Sequence, residues 1–304
     1  MKILDLSIVI CNYNTEKLLK ETLSSIYRHT RNVSFEIIVV DDGSTDGSAA
    51  MVRELFPKVI VAKNAKNLGY SKSCNIGTKL SKGEYILHLN SDVNFTSKTS
   101  MDLILKFMEK NPNIGICGCK IVRNDGSLDL ACRHAVPTLK NSFFQMFSLY
   151  KLFPKIKSTN YYMTYLPDNK ITKVGGLGAF MLIRRKLIEK IGYLDEDFFI
   201  YCEDTDYCYR AIKAGWDLYY FPEVMVKHVH GGTTNQFRIK ALLYFHKGIF
   251  MYYKKHHLNK SFFLLNIIVY LGIFIRLTLY IILELTKILD IRLKKIRTAI
   301  TKKL

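Results

Sequence analysis

The sequence predicts an α/β fold with a mostly parallel central sheet flanked by helices. Over the first hundred residues, short apolar runs rich in β-branched residues alternate with segments whose apolar residues recur at helical spacing. Strands buried on both faces of a parallel sheet have this continuous apolar character, and the helices between them make right-handed crossovers. Polar clusters follow three of the apolar runs, and ligands of such sheets bind beyond the carboxyl ends of the strands.

The predicted elements alternate regularly along the chain. They are, in order, strand 6–11, helix 15–30, strand 35–48 with an acidic glycine-rich turn at its end, helix 49–56, strand 59–64, helix 71–82, strand 84–93 and helix 101–110. The polar clusters at the strand ends are Asn12-Tyr13-Asn14, Asp41-Asp42-Gly43-Ser44 and Asn90-Ser91-Asp92. Because the carboxyl ends of parallel strands meet at one edge of the sheet, we expect these clusters to converge.

The middle of the chain is less regular. The stretch "NDGS" at 124–127 predicts a hairpin turn. Residues 138–170 are aromatic and basic with weak periodicity, so either a mobile loop over a site or a surface-seeking helix would account for them. Residues 173–233 combine a glycine-rich entry, an apolar strand, two helices around a carboxylate cluster, and a strand that ends in two histidines.

The composition bounds the class of protein. Hydrophobic residues make up 49% of the 304 residues and charged residues 23%, which excludes global disorder. The formal charge of +19 favours a polyanionic partner: nucleic acid, an anionic membrane surface or phosphorylated substrates. The seven cysteines are odd in number and form no C-x-x-C pair, which predicts reduced thiols and a cytosolic compartment. The N-terminus is not predicted to be a signal peptide.

The C-terminal region differs from the rest of the chain. Residues 261–289 are almost entirely apolar and are interrupted by Asn266, Arg276 and Glu284. From residue 251 onward there are 11 Lys or Arg against 2 Asp or Glu. A central arginine is costly in a membrane-spanning helix, so helices lying in the interface of an anionic membrane are favoured. A true span or re-entrant hairpin is the second alternative, and a soluble packing helix the third.

This tail divides the chain and selects among the polyanionic partners. Residues 1–235 are predicted to form the α/β domain and residues 236–304 a helical membrane-associating region. The stretch 235–257 is predicted to be an amphipathic helix that leads to the membrane, with a helix packed on the domain as the alternative. Because the basic residues flank apolar helix, the prediction is a membrane surface and no nucleic acid.

Six stretches in order resemble the family-2 glycosyltransferases of the GT-A fold, and especially the rhamnosyltransferase-type enzymes of bacterial surface-polysaccharide assembly. The resemblance covers roughly residues 5–257. The stretches are "SIVICNYN", "IIVVDDGSTDGS", "NLGYSKSCNIG", "ILHLNSDV", "GGLGAFMLIRRKLIEKIGYLDEDFFIYCEDTDYCYRAIKAGW" and "VKHVHGGTT". The resemblance implies inverting transfer of a sugar from a nucleotide-diphosphate donor to an acceptor hydroxyl.

The nucleotide-sugar site is expected at the strand ends. By resemblance, Tyr13 flanks the base, and a strand-end carboxylate can accept a hydrogen bond from the N–H of the base. The alternatives left open are a turn and helix cap at 41–48 and packing for Tyr13. For Asn75, donor contact and hydrogen bonding to a loop backbone are equally favoured. The candidate nucleotide-sugar-binding residues are Asn12, Tyr13, Asn14, Glu16, Asp41, Asp42, Asn67, Gly69, Asn75 and Asn90.

The resemblance implies a divalent metal, Mg²⁺ or Mn²⁺, that neutralises the departing diphosphate. Asp92 is the expected direct ligand, with the histidines His228 and His230 as candidate third ligands. Where the wider family has D-x-D, this sequence has Asn90-Ser91-Asp92, and Asn first is common in the rhamnosyltransferase-like branch. The amide lowers the negative charge of the site, so we expect weaker metal binding than with two carboxylates.

The acceptor hydroxyl needs a base, and a positioned carboxylate can serve. By resemblance to the family's E-D pair at the start of a helix, Asp204 is the general base and Glu203 its neighbour. A helix N-terminus enriched in acids is the alternative explanation of these residues. Gly176 and Gly178 are expected to line the acceptor side, and Trp216 to be either an acceptor wall or core.

The resulting hypothesis is a metal-dependent inverting glycosyltransferase of cell-surface glycan synthesis. Its donor would be a nucleotide-diphosphate sugar, with rhamnose as the candidate sugar, and its acceptor a polyprenyl-linked or polysaccharide glycan. It would be peripheral to, or shallowly inserted in, the cytoplasmic face of the bacterial inner membrane. The alternative is a non-catalytic nucleotide-sugar-binding subunit of an assembly complex. A basic nucleic-acid-binding protein is a third hypothesis.

Overall fold

A computed structural model describes residues 4–229 and 238–301, with side chains as far as Lys287 in the last helix. It divides into two compact units. The first holds the described residues up to 199 and from 203 to 229, and the second holds 200–202 together with the described residues from 238 onward.

The first unit is an α/β domain built on one nine-stranded sheet. The strands are β1 (Leu6–Asn12), β2 (Phe35–Asp41), β3 (Ile60–Lys63), β4 (Tyr85–Asn90), β5 (Val93–Phe95), β6 (Ile114–Val122), β7 (Thr172–Lys173), β8 (Phe180–Arg184) and β9 (Asp217–His228). Their order is β3-β2-β1-β4-β8-β6-β9-β5, and β7 pairs with β9. The order places β4 beside β1. Strands β2 and β3 therefore lie on one side of β1, and β4 and the later strands lie on its other side.

The helices confirm the predicted alternation over the first hundred residues. They are α1 (Glu16–His29), α2 (Ser48–Leu55), α3 (Tyr70–Leu80), α4 (Met101–Lys110), α5 (Leu139–Met146), α6 (Arg185–Ile191), α7 (Glu203–Lys213), α8 (Arg238–His256) and α9 (Phe263–Thr301). Each predicted element in this part of the chain forms, with ends displaced by a few residues. The predicted strand 84–93 is divided by a two-residue turn at Ser91-Asp92 into β4 and β5.

The sheet is parallel where the prediction rested on continuous apolar runs, and mixed beyond. β1 pairs in parallel with β2 and β4, β2 with β3, and β6 with β9. The antiparallel pairings are β4–β8, β6–β8, β5–β9 and β7–β9. The parallel strands carry the fully buried valines and isoleucines of the core, because helices cover both faces of this part of the sheet.

The stretch 138–170 forms α5 and short 3-10 turns. Its aromatic and aliphatic side chains include Phe143, Phe147, Leu152 and Phe153, each exposed by 46% or more. The "NDGS" hairpin is confirmed, since the N–H of Arg123 donates to the carbonyl of Ser127 at 2.8 Å.

The second unit is a pair of long helices. Phe263–Lys287 of α9 is the one segment among the described residues with the length and composition of a membrane-crossing helix; its mean hydropathy is 2.1 and 6% of it is buried.

Candidate active site

The strand ends converge as predicted. At the end of β1, the amide of Asn12 donates to Asp41 at 3.3 Å and to Ser44 at 3.2 Å. Thr15 donates to Asn12 at 2.6 Å, and its hydroxyl lies 3.0 Å from that of Ser91. One hydrogen-bond network therefore joins the ends of β1, β2 and β4.

Asp42 anchors a loop. One carboxylate oxygen accepts hydrogen bonds from the amide of Asn64 at 2.9 Å and the N–H of Leu68 at 2.8 Å, and the other accepts from the N–H of Gly69 at 2.9 Å. Asp42 is 4% exposed. These three donors, two of them backbone N–H groups, hold the loop that leads into α3. The carboxylate of Asp42 is therefore occupied by this loop.

The segment after β1 is held against the acidic turn. Asn14 has a left-handed backbone, with φ of 52°, and its side chain accepts from the N–H of Thr45 at 2.8 Å. Glu16 begins α1, and its N–H donates to Asp46 at 2.9 Å. Tyr13 is half-buried between them. The predicted base-flanking residues therefore lie together on a rigid turn.

The entry to α3 is packed tightly. Gly69 has a φ of +92°, and a Cβ there would lie 2.5 Å from the carbonyl oxygen of Phe199. The N–H of Tyr70 donates to that same carbonyl at 2.7 Å, so this N–H of the helix start is occupied. Asn67 accepts from the N–H of Gly69 at 3.0 Å. Gly69 is required by backbone conformation and by space.

Asn75 holds a loop. Its amide donates to the carbonyl of Leu194 at 2.9 Å and to Glu196 at 3.0 Å, and its oxygen accepts from the N–H of Leu194 at 3.0 Å. It is 2% exposed. Of the two alternatives left open by the sequence, the structure displays the hydrogen bonding to a loop backbone.

Asn90 ends β4 and accepts a hydrogen bond from the hydroxyl of Tyr70 at 3.3 Å. Burial raises the pKa of Tyr70 well above its usual value, and the neighbouring Cys74, Cys11 and Glu203 raise it further. Tyr70 is therefore a neutral hydroxyl that fixes the Asn90 side chain next to Asp92. Sequence analysis did not single it out.

Asp92 lies in the turn after β4, and its side chain is adjacent to that of His228, the last residue of β9. The Nε2 atom of His228 is 3.1 Å from Oδ1 of Asp92, and its Nδ1 atom is 3.0 Å from Oδ2 of Asp129. Antiparallel pairing of β5 with β9, with Val93 opposite His228, brings the two residues together. Asp129 is 1% exposed and also accepts from the N–H of Ala131 at 3.1 Å.

The two carboxylates set the charge of His228. Burial alone would lower its pKa, but the hydrogen bonds to Asp129 and Asp92 outweigh burial and raise the pKa to about 9. In the protein without metal, the imidazole is therefore protonated at neutral pH. His230, the other candidate ligand, lies outside the described residues.

These residues fit a divalent ion whose remaining ligands come from a substrate. Asp92 offers a carboxylate oxygen and His228 a nitrogen 3.1 Å away, while Asp129 can orient the ring from its far side as metal-bound histidines require. Among the side chains described in residues 4–229 and 238–287, no three His, Cys, Asp or Glu form a group that could hold a metal ion. Diphosphate oxygens would have to complete the coordination.

Glu203 and Asp204, called the acid pair below, open α7. Burial raises the pKa of Glu203 well above its usual value, and the adjacent Asp204 raises it further. Burial also raises the pKa of Asp204, while His134 and hydrogen bonds from Thr205 oppose the rise. Oε2 of Glu203 is buried and has no hydrogen-bond partner among the described residues.

The glycine-rich entry to β8 lies against this pair. A Cβ on Gly178 would lie 2.8 Å from Oδ2 of Asp204, and a Cβ on Gly176 would clash with the ring of His134. His134 is buried, stacks on Tyr161 at 4.6 Å, and has Nδ1 3.0 Å from the carbonyl of Ala135. The two glycines thus let the backbone run between a histidine and the candidate base.

Trp216 lies at the other end of the sheet. It contacts the space over Gly115, where a Cβ would meet the tryptophan at 3.0 Å, and it precedes β9, whose first residue Asp217 pairs with Ile114 at the start of β6. The strand-end network is at the opposite edge, where Leu89 pairs with Phe180. The acceptor-wall alternative for Trp216 is therefore corrected: the core alternative is the one the structure displays.

Three residues of the site were missed by sequence reasoning: Tyr70, Asp129 and His134. Asp129 and His134 belong to the irregular region after β6, where no periodicity or turn motif marks a position. Their roles depend on contacts with His228 and Asp204, which are 99 and 70 residues further along the chain. No local signal in the sequence could have found them.

Comparison with known proteins supports the resemblance to family-2 glycosyltransferases. A family model described as Glycosyl transferase family 2 matches residues 7–192. An N-acetylglucosaminyl-diphospho-decaprenol L-rhamnosyltransferase from Mycobacterium tuberculosis is 27% identical over 266 residues, which cover 83% of this chain and 85% of that protein. A low-salt glycan biosynthesis hexosyltransferase from Haloferax volcanii is 26% identical over 242 residues, covering 78% of this chain and 70% of that protein.

A solved structure has a similar fold. The mannosyltransferase from Pyrobaculum calidifontis, in complex with GDP-Man and Mn²⁺, superposes with a TM-score of 0.55 at 16% identity, over 83% of this chain and 64% of that one. At this identity the likeness concerns the fold alone.

Proposed function

The chain belongs to glycosyl transferase family 2 and has its GT-A-like α/β fold, and from this premise we propose that it is an inverting, metal-dependent transferase of cell-surface glycan synthesis. It would move a sugar from a nucleotide-diphosphate donor to a hydroxyl of a polyprenyl-linked or polysaccharide acceptor. The observation that carries the proposal is the acid pair: two carboxyls with raised pKa values at the start of α7, with Asp204 against the small residue Gly178.

Asp204 supplies the base. A carboxylate acts well as a general base when its pKa lies nearer the working pH, and burial raises the pKa of Asp204. Gly178 presents only backbone atoms beside Oδ2 of Asp204, where a Cβ would lie 2.8 Å from that oxygen. As the acceptor oxygen forms its bond to the anomeric carbon, its proton passes to Asp204, and the bond to the diphosphate breaks with its electron pair going to the phosphate oxygen. A single displacement of this kind inverts the anomeric centre.

The strand-end network supplies the donor site. Asn12, Tyr13 and Asn14 lie on the turn after β1, next to the acidic turn that contains Asp41. In this proposal the base of the nucleotide lies over that turn and is also near Asp42, Glu16, Asn67 and Gly69. The diphosphate extends from there toward Asp92. Tyr70 would keep the amide of Asn90 turned toward the ribose or toward a water molecule beside Asp92.

A bound Mg²⁺ or Mn²⁺ would neutralise charge on the leaving diphosphate. Asp92 and His228 are the residues that would hold it, and His230 remains a proposed third ligand. Because His228 is protonated without metal, it must lose a proton before it can coordinate, which makes metal binding pH-dependent. Asp129 would accept the remaining ring proton and keep Nε2 directed at the ion.

The substrate and the location are proposed from the relatives and from the exposed surface. Because a relative over 83% of the chain is a rhamnosyltransferase acting on a diphospho-decaprenol acceptor, dTDP-rhamnose is the first donor to test. A lipid-linked acceptor also suits the exposed aromatic surface of α5 and the following turns. We propose residues 1–235 as the transferase domain and 236–304 as the membrane-associating region, on the cytoplasmic face of the bacterial inner membrane.

A donor screen tests the proposal. The full chain in mild detergent is given a panel of nucleotide sugars and a polyprenyl-diphosphate sugar acceptor, with and without Mg²⁺ or Mn²⁺, and the release of nucleoside diphosphate is measured. The expected result is release from one donor that depends on metal and acceptor and yields an inverted linkage by NMR. Donor binding without release, equal to that of Asp204→Asn, would support the non-catalytic subunit instead.

A further inference from the structure

Side chains of α8 contact three polar residues within the apolar part of α9: Asn266, Arg276 and Glu284. Asn266 accepts from the hydroxyl of Tyr253 at 2.6 Å. Glu284 accepts from Arg238 at 3.1 Å. The partners of Asn266 and Glu284 lie near the two ends of α8, so α8 and α9 are antiparallel along nearly the whole of α8.

The guanidinium of Arg276 is covered by aromatic rings. It lies 5.3 Å from the ring centroid of Phe245 on α8 and 5.0 Å from that of Tyr280 on its own helix. A guanidinium over aromatic faces keeps favourable electrostatic contact without water. The charge that argued against burying α9 in a membrane is therefore shielded by the neighbouring helix.

The opposite side of α9 is continuously apolar and uncovered. The residues recur at spacings of three and four, so they share one face, and each is exposed by 50% or more; they are Leu264, Ile268, Leu271, Ile275, Leu279 and Ile282. We call these six residues the apolar face. A continuous exposed apolar surface of this kind marks an interaction site.

α8 carries a second exposed feature. Lys240, Lys247 and Lys254 are exposed and seven residues apart, so they form one row along the helix, which we call the lysine row. Leu243 and Phe250 lie between them and are 45% and 38% exposed. At 1.5 Å per residue the row is about 21 Å long. Such a row of alternating cations and apolar side chains is typical of helices that lie on anionic lipid.

We infer that the α8–α9 hairpin lies in the plane of an anionic lipid bilayer. The apolar face of α9 enters the acyl boundary, and the lysine row remains at the level of the lipid phosphates. The inference rests on the membrane attachment contained in the proposed function, and it specifies the geometry of that attachment.

The pairing of the two helices excludes an upright hairpin. The contacts between α8 and α9 extend from Tyr253–Asn266 to Arg238–Glu284, so a span by α9 would take the whole of α8 with it. That would distribute the lysine row through the hydrocarbon layer, which is about 30 Å thick, with Lys247 near its centre. Ionisable side chains at that depth are strongly disfavoured. In the flat arrangement all three lysines stay with water and phosphate.

The first experiment measures topology. The full chain carries one protease-cleavable tag before Met1 and another after Leu304, and Asn259→Cys places a thiol in the exposed turn between the two helices. Protein added to preformed vesicles of phosphatidylcholine with one-third phosphatidylglycerol is treated with external protease or with a membrane-impermeant maleimide. The unsubstituted chain gives the background labelling of the native cysteines.

The flat hairpin predicts that both tags are cleaved and that Cys at position 259 is labelled from outside. Protection of the C-terminal tag alone would overturn the inference in favour of a span. Cleavage of both tags with labelling at 259 only after the vesicles are opened would overturn it in favour of an upright hairpin. These measurements need no turnover, so they stand or fall separately from the transferase activity.

The second experiment tests the lysine row. The triple variant Lys240→Gln, Lys247→Gln, Lys254→Gln should bind the anionic vesicles about a hundredfold more weakly than the parent, because each lysine near such a surface contributes a roughly fivefold preference. The matched control, Lys58→Gln, Lys110→Gln, Lys213→Gln, removes the same charge from exposed positions of the first unit and should bind as the parent does. Equal loss in both variants would overturn the role of the row. If the protein forms a stable dimer and does not bind the vesicles, the inference is overturned and the apolar face is assigned to contact with a second copy of the chain.

Discussion

Carboxylates on the two sides of the site are held in opposite ways. Asp42 accepts three hydrogen bonds from neutral donors, and Asp129 is paired with an imidazole and a backbone N–H. Glu203 and Asp204 are adjacent in the chain and share burial, and Oε2 of Glu203 is without a partner among the described residues. Asp42 and Asp129 hold a loop and a ring in place, whereas burial raises the pKa of both Glu203 and Asp204, even though Thr205 donates hydrogen bonds to Asp204.

This difference distinguishes acidic residues that can accept a proton during a reaction from those that stabilise the fold. A carboxylate whose oxygens already accept hydrogen bonds from N–H groups is held in place and has few lone pairs left for another donor. Burial raises the pKa of the Asp204 carboxyl above its usual value, which makes it a better proton acceptor. Stability should therefore depend most on Asp42, and turnover most on Asp204.

The largest expected effect is that of Asp204→Asn on turnover. Loss of a general base lowers turnover by about 10² to 10⁴. Donor binding, measured by calorimetry, should be unchanged because the proposed nucleotide-binding residues at the ends of β1 and β2 do not include Asp204. The matched control is Asp206→Asn: Asp206 is paired with Arg210 at 2.8 Å and is expected to affect stability rather than turnover. Equal turnover in parent and Asp204→Asn would remove Asp204 as the base.

Asp42→Ala should lower the free energy of unfolding by about 3 kcal/mol, because three donors lose a charged acceptor and two of them are backbone N–H groups. Urea unfolding followed by circular dichroism measures the change. Asp102→Ala removes an exposed ion pair with Lys106 and should change the unfolding free energy by about 0.5 kcal/mol or less. Similar losses in the two variants would contradict the anchoring role of Asp42.

Asp129→Asn should weaken Mn²⁺ binding by about 10- to 100-fold, since outer partners of metal-bound histidines typically have effects of this size. The readout is free Mn²⁺ by electron paramagnetic resonance, which requires no substrate turnover. Asp125→Asn, on the exposed hairpin, serves as the control. An unchanged affinity for Mn²⁺ in Asp129→Asn would show that His228 does not depend on this carboxylate.

The smallest expected effect is a gain in stability for Glu203→Gln, of about 1 kcal/mol at pH 7. The pKa of Glu203 is raised in the folded state, so the folded protein binds more protons than the unfolded one and stability falls as pH rises above about 4.5. The difference between variant and parent should therefore vanish near pH 4 and increase toward neutrality. A pH-independent difference would contradict the raised pKa.

Much of the fold could be predicted from local patterns. Continuous apolar runs alternating with helical periodicity identified the strands and helices up to residue 110 except the short strand β5, since each of these elements depends on its own residues and on burial. The antiparallel insertion of β8 between β4 and β6 could not be predicted, because nothing in an isolated strand of five residues specifies its partner or direction.

The site divides in the same way. Asp92, His228 and the acid pair stand in motifs next to strand or helix ends, so their candidacy was visible in the sequence alone. Whether Asn75 contacts a ligand or a loop, and whether Trp216 faces the acceptor, depended on residues more than a hundred positions away. The same holds for Asp129 and His134, which gain their roles only from distant partners.

Three features could be inferred from the sequence alone: the polar residues at the strand ends, the family resemblance that they carry, and the apolar character of the C-terminal helix. Only the folded chain brings Asp129 to His228, the backbone of Gly178 to Asp204, and Phe245 of α8 to Arg276. The physical reason is that periodicity and composition are local properties, whereas hydrogen bonds, close approaches and charge shielding arise between segments that only the folded chain brings together.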